Sequence, residues 1–166
     1  MFTLTSTSFN KDGQFQPDQL LSADFGFGCE GDNHSPQLNW TGYPRDTKSF
    51  AITCFDHSAP IVCGFWHWMV INIPVEINTL AAGNSQNITT LGEKILQIRN
   101  DFGVAGYSGP CPPPGDEPHR YELTVYALGS AELPADAATS PALTLFMIEH
   151  AKLASASLNA RYARDT

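Results

Sequence analysis

Charge is scarce in this chain of 166 residues, in which Asp, Glu, Lys and Arg make up 16% against about 25% in an average soluble protein. Folding must therefore lean on packed apolar faces and on turns. Positive charge is the scarcest of all. Nine Lys and Arg against 17 Asp and Glu leave a net charge of −8, which excludes general affinity for nucleic-acid phosphates or anionic membrane surfaces, because both need clustered cations. Any anion site has to be local, built from a few inward donors. Long hydrophobic runs are missing too. No window approaches the roughly 20 apolar residues of a membrane-spanning helix, and the start, Met-Phe-Thr-Leu-Thr-Ser-Thr-Ser, lacks the basic beginning and apolar stretch of a secretory signal. A cytoplasmic chain with no integral membrane association is expected. Cysteine is sparse. Cys29, Cys54, Cys63 and Cys111 form no C-x-x-C pair of the kind used by zinc or redox sites, so free thiols are expected, and Cys54 could meet Cys63 only if their strands are adjacent.

What is present fits one β-rich domain over residues 1–166, since 42% hydrophobic and 11% aromatic residues can fill a core at this length. Three segments predict strands: Ser49 to Asp56, His67 to Ile73 and Tyr121 to Leu128. Each is short, rich in β-branched and aromatic residues and bounded by turn signals. The first two are apolar on both faces and are expected to be central. The third alternates, placing Tyr121, Leu123, Val125 and Ala127 on one face. Ser140-Pro141 predicts a helix start, followed at near-helical spacing by Leu143, Phe146, Met147, His150 and Leu153. Leu158, Ala160 and Tyr162 then alternate as in a last strand. Between these elements lie two long loops rich in turn residues, Gly26 to Pro36 and Gly103 to Pro118.

Parity along the three strands singles out a site. Asp56 shares a face with Phe50, Ile52 and Cys54. His67 shares parity with Met69, Ile71 and Ile73, and His119 with Tyr121, Leu123 and Val125. A carboxylate and two imidazoles thus end or begin apolar rows, each beside a Pro-rich or aromatic loop (Ala59-Pro60, Phe65-Trp66, Gly109-Pro110). An apolar pocket with a few convergent polar groups has this signature.

The run from Ser35 to Pro60, SPQLNWTGYPRDTKSFAITCFDHSAP, resembles the first signature of the phosphatidylethanolamine-binding proteins, also called Raf kinase inhibitor proteins. GFWHWMVINIP from Gly64 resembles its continuation, and GYSGPCPPPGDEPHRYELTVYAL from Gly106 the second signature, in the style of the bacterial branch. The resemblance implies a mostly β, Greek-key β-sandwich with short peripheral helices and a C-terminal helix, and a homodimer. It also implies a pocket for a small anionic ligand such as a phospholipid headgroup, lined by Asp56, Ala59, Pro60, Phe65, His67, Gly109, Pro110, His119 and Tyr121. One departure stands out. His57 and Ser58 replace the usual Pro and second Asp, which predicts a mouth friendlier to anions and less suited to an amine. Two other readings use the same residues: an enzyme with Asp56, His67 and His119 as general acid–base groups, and a kinase-regulatory or interaction module. No cofactor motif accompanies the triad. Two histidines and a carboxylate also match a non-haem iron triad in type, but no metal is expected. His34, His57 and His150 read as loop, rim and helix-face residues.

Overall fold

A computed structural model describes all residues, Met1–Thr166. Two antiparallel sheets face one another. The smaller joins β1 (Thr3–Thr5), β2 (Leu38–Thr41) and β5 (Thr79–Leu80) in the order β1-β2-β5. The larger contains β3 (Ser49–Asp56), β4 (Phe65–Pro74), β6 (Leu96–Gln97), β7 (His119–Leu128) and β8 (Lys152–Tyr162) in the order β6-β4-β3-β7-β8. Because β7 returns past β4 to lie beside β3, this order is the Greek-key arrangement. The mostly β sandwich predicted from the sequence is the fold observed.

The main core lies between the sheets. Leu4, Leu38, Trp40 and Leu80 of the small sheet meet Phe50, Ile52, Cys54, Trp68, Val70, Leu123 and Val125 of the large one. A second core on the opposite face gathers Ala51, Met69, Ile71, Tyr126 and Leu128 under Ile148 of the helix α1 (Pro141–Ala151). This explains why β3 and β4 read as apolar on both faces. Tyr126 of β7 is buried in this second core, and Thr124 on the same face is buried beside Ser157 of β8, so that face of β7 is partly open only near the strand's beginning.

The helix starts as expected, with Ser140 Oγ accepting from the Leu143 amide. Its buried face differs from the expected one. Thr144 and Ile148 point inward, whereas Leu143 and Phe146 are exposed, Phe146 at 72%. An 11-residue helix on one end of a sheet buries only a narrow stripe, and the apolar residues outside that stripe stay in water. The final strand is longer than its alternation suggested and begins directly after the helix, at Lys152.

Two cysteines depart from expectation. Cys29 and Cys111 form a disulfide between the two long loops, across 82 residues of sequence. Only Cys54, buried in the core, and Cys63, exposed, are free. Sequence spacing carried no sign of a bridge formed by loops so far apart. No helix is long and apolar enough to cross a membrane.

Candidate functional site

Strand direction brings the polar residues together. Since β3 pairs antiparallel with both β4 and β7, its last residue lies beside the first residues of each, with Asp56 opposite Phe65 on one side and Tyr121 on the other. Side-chain alternation aims Asp56, His119 and Tyr121 to the inner face, as expected.

His67 reaches the same site by a different route from simple parity. Met69 and Ile71, its parity partners, pack toward the helix. Between the pairs Cys54↔Trp68 and Phe55↔Trp66 the register shifts by one, leaving His67 as the extra residue of a β-bulge. Bulges re-aim side chains next to sites. Here the bulge puts His67 on the inner side with Phe65 and Trp68. Ile73, the remaining residue of that predicted row, belongs to the core between the sheets. A second extra residue on β4, beside Asn72 with φ of 60°, moves the register by one more in the same direction and returns the odd-numbered side chains to the inner face, where Ile73 packs.

The four polar residues are almost sealed from solvent, at 4% exposure for Asp56, 3% for each histidine and 1% for Tyr121. They form the floor of a cavity of about 550 Å³, within the usual range for small-molecule sites. Asp56 Oδ1 accepts from the Ser58 amide at 2.8 Å, and Asp56 Oδ2 faces His119 Nδ1 at 2.8 Å. The other nitrogen, His119 Nε2, lies 3.1 Å from Asp116 Oδ2. His67 Nδ1 donates to the Ser108 carbonyl at 2.7 Å, which leaves Nε2 without a protein partner. Burial holds the His67 pKa below the ordinary histidine value of 6.5, outweighing the Ser108 carbonyl and the Asp56 charge, which pull the other way. Burial first, and the neighbouring Asp56 second, push the Tyr121 phenol upward, so it remains a hydroxyl. Cys54 is likewise raised by burial and then by Asp56, which leaves no thiolate nucleophile there.

Above this floor the wall is apolar. Phe25, Phe27, Phe65 and Phe102 line it, with Phe102 making edge-to-face contacts to the other three. Ala59, Pro60, Pro112 and Pro113 complete the rim, and Asp101 adds a second carboxylate. Cys111 lines the cavity too, so the disulfide ties the loop carrying Phe27 to the loop of prolines. The Arg164 guanidinium braces both loops by donating to the carbonyls of Phe27, Gly28 and Pro112.

Gly109 and Pro110 do not line the cavity. They pack behind it: the Gly109 amide donates to Asn33 Oδ1, and the Pro110 carbonyl accepts from the Leu21 amide. A Cβ at Gly109 would lie 2.1 Å from the Gln19 carbonyl oxygen, so glycine is needed for the close approach of two backbones. His57 is also displaced from its expected role. Its ring rests against Phe55 on the outer face, 3.4 Å from Glu122, and it does not line the cavity, while Ser58 Oγ accepts from the Arg120 amide. The departure from the family's usual Pro and Asp therefore leaves the mouth without an added imidazole. Phe25, Phe27, Asp101, Phe102 and Asp116 were not predicted. Phe25 ends a single 3-10 turn, Ala23–Phe25, and the others lie in loops, where no periodicity reports which way a side chain points.

Comparison with known proteins agrees with this fold. The family model "Phosphatidylethanolamine-binding protein" matches residues 11–163. The UPF0098 protein YbcL of Escherichia coli (strain K12) is 42% identical over 162 residues, 97% of this chain and 87% of the relative. The protein YbhB of the same organism is 42% identical over 138 residues, 83% of this chain and 87% of the relative. The crystal structure of E. coli YbcL, described as a new member of the mammalian PEBP family, superposes with a TM-score of 0.91 over 98% of both chains. A putative phosphatidylethanolamine-binding protein homolog from Chlamydia trachomatis, 27% identical, gives 0.80 over 99% of this chain and 98% of that one. The chain belongs to the phosphatidylethanolamine-binding protein family.

Proposed function

We propose that the protein is a binding module for a small ligand with a phosphate or carboxylate head and an apolar portion, of which a phospholipid headgroup with part of its chain is one example. The convergence of Asp56, His67, His119 and Tyr121 on the floor of a pocket with an aromatic wall is the observation that supports this. The imidazoles and the phenol offer donors to an anionic head, and the phenylalanines and prolines suit the rest. Asp101 restores a second carboxylate to the wall, so an amine on the ligand has a partner despite Ser58 standing where the family has Asp.

The pH dependence of such a site follows from His67. Its lowered pKa means that Nε2 carries a lone pair at neutral pH and gains a proton only at more acid pH than an ordinary histidine does. An anion on Nε2 favours the protonated ring and raises that pKa. Affinity for sulfate, whose own charge is constant over the range, is expected to increase as the pH is lowered from about 7.5 to about 5.5. Sulfate should also move the His67 NMR titration upward. His119→Ala is expected to weaken sulfate binding by about 1.5–3 kcal/mol, the worth of a hydrogen bond to a charged group. Equal affinity in wild type, His67→Ala and His119→Ala proteins would refute the reading.

The homodimer implied by the resemblance is a proposal of the same kind. Leu143, Phe146 and Leu153 are exposed on α1 and at the start of β8, where β8 meets the end of β7 remote from the pocket. If two chains pair there, Phe146→Glu will reduce the mass seen by light scattering to that of one chain. A dimer that persists in this variant would place the interface elsewhere.

A further inference from the structure

Asp116 stands apart from the rest of the site. It belongs to the exposed loop before β7, yet its carboxylate rests on the one exchangeable position of a buried imidazole. The side chain of His119 is 4% exposed and that of Asp116 is 40% exposed. At Nδ1, His119 is fixed to Asp56, whose side chain is 5% exposed. Only the Nε2 side is bordered by a group that can leave. From this geometry we infer that Asp116 is a built-in competitor: it occupies, on His119 Nε2, the position that an anionic oxygen of the ligand takes, and so selects which anions the pocket admits. The inference rests on the anion reading given above.

The loop is built for such an exchange. Gly115, at φ of 83°, donates its amide to the Arg164 carbonyl, and the Asp116 amide bonds back to Pro113. The backbone is thus held while the Asp116 side chain can turn out to solvent, where a carboxylate is well hydrated. Electrostatics require that it turn. Asp56 and Asp101 already face the cavity and no Lys or Arg lines it, so a ligand anion beside an undisplaced Asp116 would meet three carboxylates, with only imidazoles to offset them.

Tethering gives the resident carboxylate its advantage. A group held on a short loop competes at an effective concentration in the millimolar range or above, so an anion with a single carboxylate gains little by replacing it. A tetrahedral oxyanion can do more. It carries a second negative charge and three further oxygens, so with one oxygen on His119 others remain to turn toward His67, which Asp116 does not contact. Both rings flank Tyr121, with centroids 5.3 Å away for His67 and 6.3 Å for His119, so the two histidines border one space. Asp116 therefore biases the pocket toward phosphate-like heads and against simple carboxylates.

The test compares sulfate and acetate binding to the full chain by NMR of the histidine rings at about pH 6, near the ordinary histidine pKa, in wild type, Asp116→Ala and Asp116→Asn. Removing the competitor is expected to tighten sulfate on the order of tenfold and acetate by at least as much, so that discrimination between them narrows. A purely structural role for Asp116 would not tighten either anion. Unchanged or weaker affinity for both anions in both variants, with sulfate still bound by wild type, overturns the inference and leaves the anion pocket standing. Silence of His67 and His119 toward sulfate in all three proteins overturns both. Sulfate binding that appears only in the variants supports the inference most directly.

Discussion

Loss of the Cys29–Cys111 bond is expected to lower stability by about 2–4 kcal/mol and the melting temperature by about 5–15 °C. The bridge closes a loop of 82 residues, and a cross-link over that length removes much freedom from the unfolded chain. In the folded state the two loops retain other ties, the Arg164 contacts and the Gly109 amide on Asn33, so the fold should survive. Thermal unfolding of Cys29→Ser with Cys111→Ser, in a Cys63→Ser background to prevent intermolecular pairing, measures the effect. Reductant should bring the bridged protein down to the same melting temperature and leave the double variant unchanged. A shift of less than about 2 °C would mean that the bond contributes little beyond these ties. Ligand affinity should fall with the bond as well, because Phe27 and Cys111 stand in the cavity wall.

The strands carrying Asp56, His119 and Tyr121 were legible because a period of two is a strong signal, and those residues lie on regular stretches of β3 and β7. His67 was placed in the site for an incomplete reason. Parity grouped it with Met69 and Ile71, which face the helix, and only the bulge between Trp66 and Trp68 turns it inward. A one-residue insertion in a ladder leaves no mark in the sequence, since it depends on which residue of the partner strand is opposite. The helix was legible to the same extent. Apolar spacing located it, but Thr144 and Ile148 were chosen as its inner face by the position of the sheet beneath. The pocket wall was least legible. Phe25 comes from a 3-10 turn and Phe27 from the loop that follows it, Asp101 and Phe102 from a second loop, and Pro112 and Pro113 from a third. They meet through the disulfide and the Arg164 contacts, which span the length of the chain. Gly109 and Pro110 were visible as a motif, yet the motif fixes backbone packing behind the cavity and does not itself face a ligand.

Replacement of Asp56 by Ala is expected to destabilise the fold by about 2–5 kcal/mol, because two donors lose their acceptor at about 1–3 kcal/mol each. Asp56 accepts from the Ser58 amide and faces His119 Nδ1, both at 2.8 Å, and at 4% exposure no bulk water can take its place. Alanine leaves a backbone amide and an imidazole nitrogen without partners at the end of the core. An asparagine side chain at this position would keep the shape and one accepting oxygen, so Asp56→Asn should cost less, about 1–3 kcal/mol. The two variants separate what the carboxylate does for the fold from what it does for the ligand. If the charge orients His119 toward an anion, Asp56→Asn will weaken sulfate binding even at concentrations of urea far below its unfolding midpoint. Urea unfolding midpoints at constant slope give the stability terms, and the histidine NMR titration gives the binding term. A loss of less than about 1 kcal/mol in Asp56→Ala would mean that the loop relaxes to admit water, and the His119 ring would then be held mainly by Asp116.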